Sequence, residues 1–155
     1  MIWILCGAFL VALDQLTKFW AILALKNAVP VTAVPGVLQF SYVENTGIAF
    51  GFLQDMHWFV IPVNIVILLV CIFMARMFVK QNKKISVAAL CLIASGAVGN
   101  LIDKIFRGYV VDFIETVFMD FPVFNLADVF VCCGAALLAF YILFLDKEEK
   151  DGNHL

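Results

Sequence analysis

Three carboxylates and two amides stand in short polar motifs between long apolar runs: Gly99-Asn100-Leu101-Ile102-Asp103-Lys104, Val111-Asp112-Phe113 and Phe124-Asn125-Leu126-Ala127-Asp128. A carboxylate among lipid-facing residues costs several kcal/mol unless it is paired or wetted, so each one marks a site where function is expected. Two of them sharing one water could cut an amide bond. Close like charges cannot both ionise, so the pair holds one proton near neutral pH. The ionised member takes a proton from water, and the protonated member hydrogen-bonds the scissile carbonyl. Asp112 and Asp128 are the candidates for that pair.

Rival chemistries find less support. The two histidines, His57 and His154, lie far apart with no metal-ligand spacing, so no metal and no cofactor is expected. Ser95-Gly96 lacks the context of a serine nucleophile in a membrane protease, and no histidine in a span could serve as its base. The five cysteines are odd in number, have no C-x-x-C pair and lie in apolar runs, where free thiols act as small hydrophobes. Each carboxylate also has a structural reading. Asn125 followed by Asp128 is the arrangement of a helix cap, and Asp14 with Lys18 is an i, i+4 ion pair.

The elements that must position these groups are membrane spans. The 155 residues are 65% hydrophobic and only 14% charged, against roughly 25% in ordinary soluble domains, which leaves too little polar surface for a soluble fold. Net charge −2 supplies no basic field, so nucleic acid is not an expected partner. Four apolar stretches, 2–25, 58–79, 86–105 and 126–145, each meet the roughly 20 residues that cross a bilayer. They predict an all-α integral membrane protein of one membrane-embedded domain over 1–155, with four transmembrane helices. The N-terminal run lacks a basic leader region and a small-residue cleavage site, so it reads as a retained span.

The densest positive cluster, Arg76 with Lys80-Gln81-Asn82-Lys83-Lys84, puts the second connection in the cytoplasm. Both termini then face the cytoplasm, and the first and third connections lie outside. The first outer loop, 27–57, is punctuated by Pro30 and Pro35-Gly36. Its Val37–Val43 is rich in strand formers, and Asn45-Thr46-Gly47 reads as a turn. A small β-rich platform on the outer leaflet is expected there, with Phe50, Phe52, Trp58 and Phe59 in the headgroup layer. Gly47 and Gly51 are expected hinges.

Small and polar residues fall on helix faces: Gly7, Val11, Asp14 and Lys18 in the first span; Gly96, Gly99, Asn100 and Asp103 in the third; Asn125, Asp128, Cys132, Ala135 and Ala139 in the fourth. The stripes converge inward: Asp103 and Asp128 lie at the outer ends of their spans, Asp112 in the outer loop between them, and Asp14 just to the outer side of the middle of the first span. A site at the extracytoplasmic leaflet, open to water, follows.

Together the motifs resemble bacterial lipoprotein signal peptidase, the signal peptidase II family. The likeness rests on Asp14-Gln15-Leu16-Thr17-Lys18, Glu44-Asn45-Thr46-Gly47-Ile48-Ala49-Phe50, Gly99–Asp103, Val111–Phe113 and Phe124–Asp128, and covers nearly the whole chain. It implies an intramembrane aspartyl endopeptidase of the bacterial cytoplasmic membrane with Asp112 and Asp128 as the catalytic pair. Asp14, Lys18, Asn45, Gly47, Asn100, Asp103 and Asn125 would shape the site or contact substrate. It also implies a partner, a prolipoprotein carrying diacylglycerol on the cysteine before which it is cut, with membrane lipid around a monomer and globomycin-like peptides as inhibitors. Where the family usually carries arginine after the aspartate of its third motif, this chain has Lys104, with Arg107 one turn on. Lysine offers a point charge and not a bidentate fork, so either residue could take that role.

Two other classes fit an intramembrane acid. A proton-coupled transporter would place its site near the midplane between repeats, and no repeat is visible. A non-enzymatic membrane subunit would tolerate Asp112→Asn and Asp128→Asn.

Overall fold

The computed structural model describes residues 1–47 and 57–146. Four helices are long and apolar enough to cross a membrane. They are α1 (Ile2–Leu25), α2 (His57–Lys80), α3 (Lys84–Phe106) and α4 (Leu126–Phe140), the last continued by a π-helical turn over Tyr141–Leu145. The expected all-α membrane architecture is the one observed. Phe50, Phe52 and Gly51 of the expected headgroup segment and hinge lie outside the described residues, as do the side chains of Trp58 and Phe59.

α3 sits at the centre and packs against α1, α2 and α4, whereas α2 packs chiefly on α3. Small residues make these approaches possible. A Cβ on Gly134 would come within 2.7 Å of the Ala89 carbonyl oxygen, and one on Gly96 within 2.7 Å of Val131. Of the expected α1 stripe, Asp14 and Lys18 are buried and Gly7 and Val11 half-buried, and the buried face continues through Ala21 and Leu25. The α4 stripe holds only at its start, where Asn125 is buried and Asp128 half-buried. The buried residues of the helix itself are Ala127, Phe130, Gly134 and, beyond its end, Tyr141, while Cys132, Ala135 and Ala139 are exposed. α4 is held to α3 by a glycine notch and bulky neighbours, so size rather than polarity sets its buried face. Three of the cysteines, Cys6, Cys132 and Cys133, are likewise exposed, and all five are free.

The β platform has three antiparallel strands in the order β1 (Val31–Val34), β2 (Leu38–Asn45) and β3 (Val110–Thr116). The first connection supplies only two of them. The third comes from the connection between α3 and α4, so Asp112 lies on a strand and not in a loop. Between β1 and β2, Val37 N donates to Val34 O at 3.0 Å across Pro35-Gly36, with Gly36 at φ 72°. Proline then glycine at the two central positions is the chemistry of a type II turn. Gly108, at φ 80°, turns the chain from α3 into β3.

One face of the sheet packs on the end of α1, where Ala21, Leu25, Val111 and Phe113 form a buried cluster. Trp20 meets Phe40 and Phe113 edge-on, with ring centres 5.4 and 6.1 Å apart. Lys26 and Tyr42 both donate to Glu44 Oε1, at 2.9 and 3.0 Å, joining the end of α1 to β2 at the surface. Alternation along β3 then turns Asp112 to the opposite face, toward α3 and α4.

Candidate active site

A shift of register decides what meets Asp112. β2 and β3 pair as Phe40 with Ile114 and then Val43 with Asp112, so Ser41 and Tyr42 together oppose Phe113. This β-bulge adds one residue to β2 and reverses which face the following residues occupy. Without it, Asp112 would oppose Tyr42, and Asn45 would turn toward the α1 face with Val111 and Phe113. With it, Asn45 Nδ2 donates to Asp112 Oδ2 at 2.8 Å. Gly47 N donates back to Asn45 Oδ1 at 3.0 Å, which orients the amide and closes the expected turn.

Asp128 is set by the start of α4. Asn125 Oδ1 accepts from Asp128 N and Asp128 Oδ2 accepts from Asn125 N, each at 3.1 Å, a reciprocal capping box. The capping role read from the sequence is therefore present, and it does not use up the residue. Asp128 Oδ1 still accepts from Asn100 Nδ2 at 2.8 Å. Asn125 also joins the two acids, since its Nδ2 donates to Asp112 Oδ1 at 2.6 Å. Every oxygen of both carboxylates thus receives a hydrogen bond, and one asparagine touches both.

Beneath the pair lies a buried charge network. Lys18, Asp14 and Asp103 are all 0% exposed. Lys18 Nζ donates to Asp14 Oδ2 at 2.9 Å, Asp103 Oδ2 at 3.3 Å and Asn100 Oδ1 at 2.8 Å. Arg107 pairs with Asp103 Oδ1, so two cations balance two carboxylates, as buried charge requires. The i, i+4 pair read from the sequence is therefore one edge of a larger network. Each of these acids also grips backbone beside the pair. Asp14 Oδ1 accepts from Ala127 N at 3.0 Å, and Asp103 Oδ2 accepts from Val111 N at 3.1 Å. Those are the residues immediately before Asp128 and Asp112.

The two acids differ in their access to water. Asp112 is 2% exposed, and Asp128 is half-buried. Burial pushes the Asp112 carboxyl up to about 6, with the nearby Asp128 charge pushing the same way and the Asn45 and Asn125 donors opposing. Lys104 is within electrostatic reach of Asp128 and Asp112. Arg107 is turned the other way, held by Asp103 and by Gln15 Oε1 at 3.4 Å. Among the described residues, no three His, Cys, Asp or Glu side chains gather as metal ligands.

All the residues singled out in the sequence thus fall in one place. Asp112, Asn45 and Gly47 come from the platform, Asp14 and Lys18 from α1, Asn100, Asp103, Lys104 and Arg107 from the end of α3, and Asn125 and Asp128 from the start of α4. Gln15 was quoted in its motif but not picked as a site residue. Its Nε2 donates to Asp14 Oδ2, Gly99 O and Asp103 Oδ1 at 3.2, 3.1 and 3.3 Å. The available signal was a lone amide well inside an apolar span. It lies off the Asp14–Lys18 stripe, so a search along helix faces passes over it.

Comparison with known proteins shows the family. A family model described as signal peptidase (SPase) II matches residues 6–144. The chain is 38% identical to the lipoprotein signal peptidase of a Streptococcus pyogenes strain over 98% of this chain and 97% of that one. It is 43% identical to that of Clostridium tetani over 90% and 88%. Two solved bacterial membrane enzymes superpose with TM-scores of 0.84 and 0.81 at 33% and 32% identity. They cover 96% and 93% of this chain and 91% and 94% of their own lengths. The chain belongs to the signal peptidase II family.

Proposed function

We propose that this protein is an aspartyl endopeptidase that removes the signal peptide from diacylglyceryl-modified prolipoproteins, cutting just before the lipidated cysteine. Asp112 and Asp128 are the catalytic residues, and neither metal nor cofactor takes part. The observation that carries the reading is the shared grip on the pair, with Asn125 touching both carboxylates while Asn45 and Asn100 each hold one.

The unequal exposures support a division of roles. Water reaches Asp128, which is half-buried and receives two hydrogen bonds suited to an anion. Asp128 takes a proton from that water as its oxygen attacks the scissile carbonyl. The buried Asp112, its carboxyl raised to about 6, is the member that holds a proton more readily, and in that form it hydrogen-bonds the carbonyl oxygen as negative charge develops there. When the tetrahedral intermediate collapses, the C–N bond breaks and the proton on Asp128 passes to the leaving amine. Lys104 faces this reaction as a point charge for a substrate carbonyl, while Arg107 serves the network below.

The protein acts as a monomer in the bacterial cytoplasmic membrane with both termini in the cytoplasm. The connection containing Lys80, Lys83 and Lys84 then faces inward and the aspartates lie at the extracytoplasmic leaflet. A lipidated substrate arrives at that depth already anchored, so binding energy from its tails positions the peptide.

The test is cleavage of a diacylglyceryl-modified prolipoprotein by purified protein in lipid, wild type beside Asp112→Asn and Asp128→Asn, with a chelator arm. Both folded variants should be inactive, and the chelator should change nothing. Activity surviving in either variant breaks the two-aspartate mechanism. Equal turnover of a precursor lacking the diacylglyceryl group removes the lipid from substrate recognition.

A further inference from the structure

We propose that Lys18 is a positioning residue for the aspartate pair: its ammonium locks the Asn100 amide with the NH2 toward Asp128 and, through Asp14 and Asp103, pins the backbone that carries both carboxylates. This rests on the aspartyl reading above and concerns how the pair's single proton is placed.

The argument begins with hydrogen-bond inventory. A lysine ammonium has three donors and no acceptor. At 0% exposure each donor must find a partner in the protein, and the three are Asp14 Oδ2, Asp103 Oδ2 and Asn100 Oδ1. The third contact leaves Asn100 no freedom. Its oxygen must face Lys18, and its NH2 then faces Asp128 Oδ1 at 2.8 Å. A flipped amide would set NH2 against ammonium and oxygen against carboxylate, two repulsive contacts at once. Asn125 reinforces the same orientation by donating to Asn100 Oδ1 at 3.2 Å, its own oxygen being committed to Asp128 N.

The locked amide presents a donor, and no acceptor, to Asp128 Oδ1. Asp14 and Asp103 are offset by Lys18 and Arg107, which leaves Lys104 to offset one negative charge on the pair. The charged groups facing the pair are then Asp14 and Lys18 from α1, Asp103, Lys104 and Arg107 from α3, and the two aspartates themselves on β3 and α4. From β2 the group presented is the neutral Asn45. Lys18 touches neither aspartate: it acts through its three acceptors and, at longer range, through its charge on Asp112.

Two variants test this. Asp14→Asn with Lys18→Met removes one charge of each sign, which keeps the buried network neutral while releasing the Asn100 oxygen from the ammonium and leaving Asn125 as its donor. Asn100→Asp keeps the partner of Lys18 but presents an oxygen to Asp128 where the wild type presents NH2. For each, the measurement is kcat and KM for a lipidated prolipoprotein across pH in the same lipid, with thermal unfolding to establish folding. The expected result is a kcat at least about tenfold lower, KM within about twofold, and the acidic limb of the rate profile moved up by about one pH unit, because the Asn100 donor to Asp128 is weakened or lost. A purely structural role would lower the active fraction and leave the limb in place. An unmoved limb overturns the proposal, and Asn100→Asp alone decides it if the double variant does not fold. Asp128→Asn run in parallel separates the two readings: if it stays active the aspartyl mechanism fails, and if it is dead while the limbs stay put only the role of Lys18 fails.

Discussion

Asp112 and Asp128 are the same residue type reached by opposite routes. Asp112 rides on the third strand of a small sheet, 2% exposed, and its two oxygens are held by side-chain amides from Asn45 and Asn125. Asp128 rides in the first turn of a helix, half-buried, with one oxygen on a backbone N–H and the other on Asn100. The strand site is dry and depends on a register. The helix site is wetter and depends on a cap. Two carboxylates become unlike in this way without any change of residue, and unlike acids are what an acid–base pair requires.

The largest effects should come from the pair itself. Asp112→Asn and Asp128→Asn should each lower kcat by at least about a thousandfold in a cleavage assay, the range lost with an essential acid or base. They should differ in stability. Asp128→Asn weakens the reciprocal cap of α4, so its unfolding free energy should fall by about 1 kcal/mol more than that of Asp112→Asn. Equal thermal shifts would erase the contrast between a strand site and a helix site.

Asn125→Ala should come next, because it removes the cap of α4 and one donor to Asp112 together. A kcat loss of about a hundredfold, with about 1–2 kcal/mol of stability, is expected from denaturant unfolding beside the activity assay. A loss of stability with no loss of kcat would reduce Asn125 to a cap.

The bulge offers a sharper test of the strand side. Deleting Ser41 removes the extra residue and should turn Asn45 away from Asp112. The deletion should therefore match Asn45→Ala, a loss of about ten- to a hundredfold with α1–α4 still folded by circular dichroism. Ser41 Oγ is buried without a hydrogen-bond partner among the described residues, so its hydroxyl is not what the position is kept for. Ser41→Ala should accordingly be close to wild type. A deletion with full activity would show that the register does not aim Asn45.

The raised pKa of Asp112 has a stability consequence of definite sign. The folded state binds its proton more tightly than an ordinary carboxylate near 3.8, so between about 4 and 6 the native protein holds more protons than the unfolded chain. Stability should therefore fall as pH rises through that window, by on the order of 2 kcal/mol, and level off above it. Asp112→Asn should lack that decline in thermal unfolding at pH 4.5 and 7.5. An identical pH dependence in the variant would place the titration elsewhere.

The sequence was most informative where residue type and helical period point the same way. Gly96, Gly99, Asn100 and Asp103 recur at helical spacing, and that face does meet α1 and α4. Asp14 and Lys18 were likewise readable as a pair. What it concealed were partnerships across long separations. Nothing in Val110–Thr116 announces that it will pair with a strand some 70 residues earlier, so Asp112 read as a loop residue. The bulge at Ser41–Tyr42 is invisible for the same reason, since a register belongs to two strands at once. On α4 the small residues Cys132, Ala135 and Ala139 suggested a packed face, but the close approaches to α3 are made by Gly134 and by Ala127 and Val131 against Gly96. A span with small residues on several sides leaves the buried one undecided until its neighbour is known.

The smallest expected effect concerns the one departure from the family pattern. Lys104 faces both aspartates, whereas Arg107, the alternative, is engaged by Asp103 and Gln15 below them. A lone ammonium can meet a substrate carbonyl as a point charge, and a guanidinium adds a second, fixed donor. Lys104→Arg should therefore keep kcat within about threefold of wild type and lower KM modestly, while Lys104→Ala should raise KM several-fold with less effect on kcat, about the loss of one charge-assisted hydrogen bond to substrate. Lys104→Arg keeps a charge within electrostatic reach of the pair and should leave the acidic limb of the rate profile in place. A kcat collapse in Lys104→Ala with KM intact would instead place its charge on the reacting carboxylates, and the difference between the strand acid and the helix acid would then owe more to Lys104 than to burial.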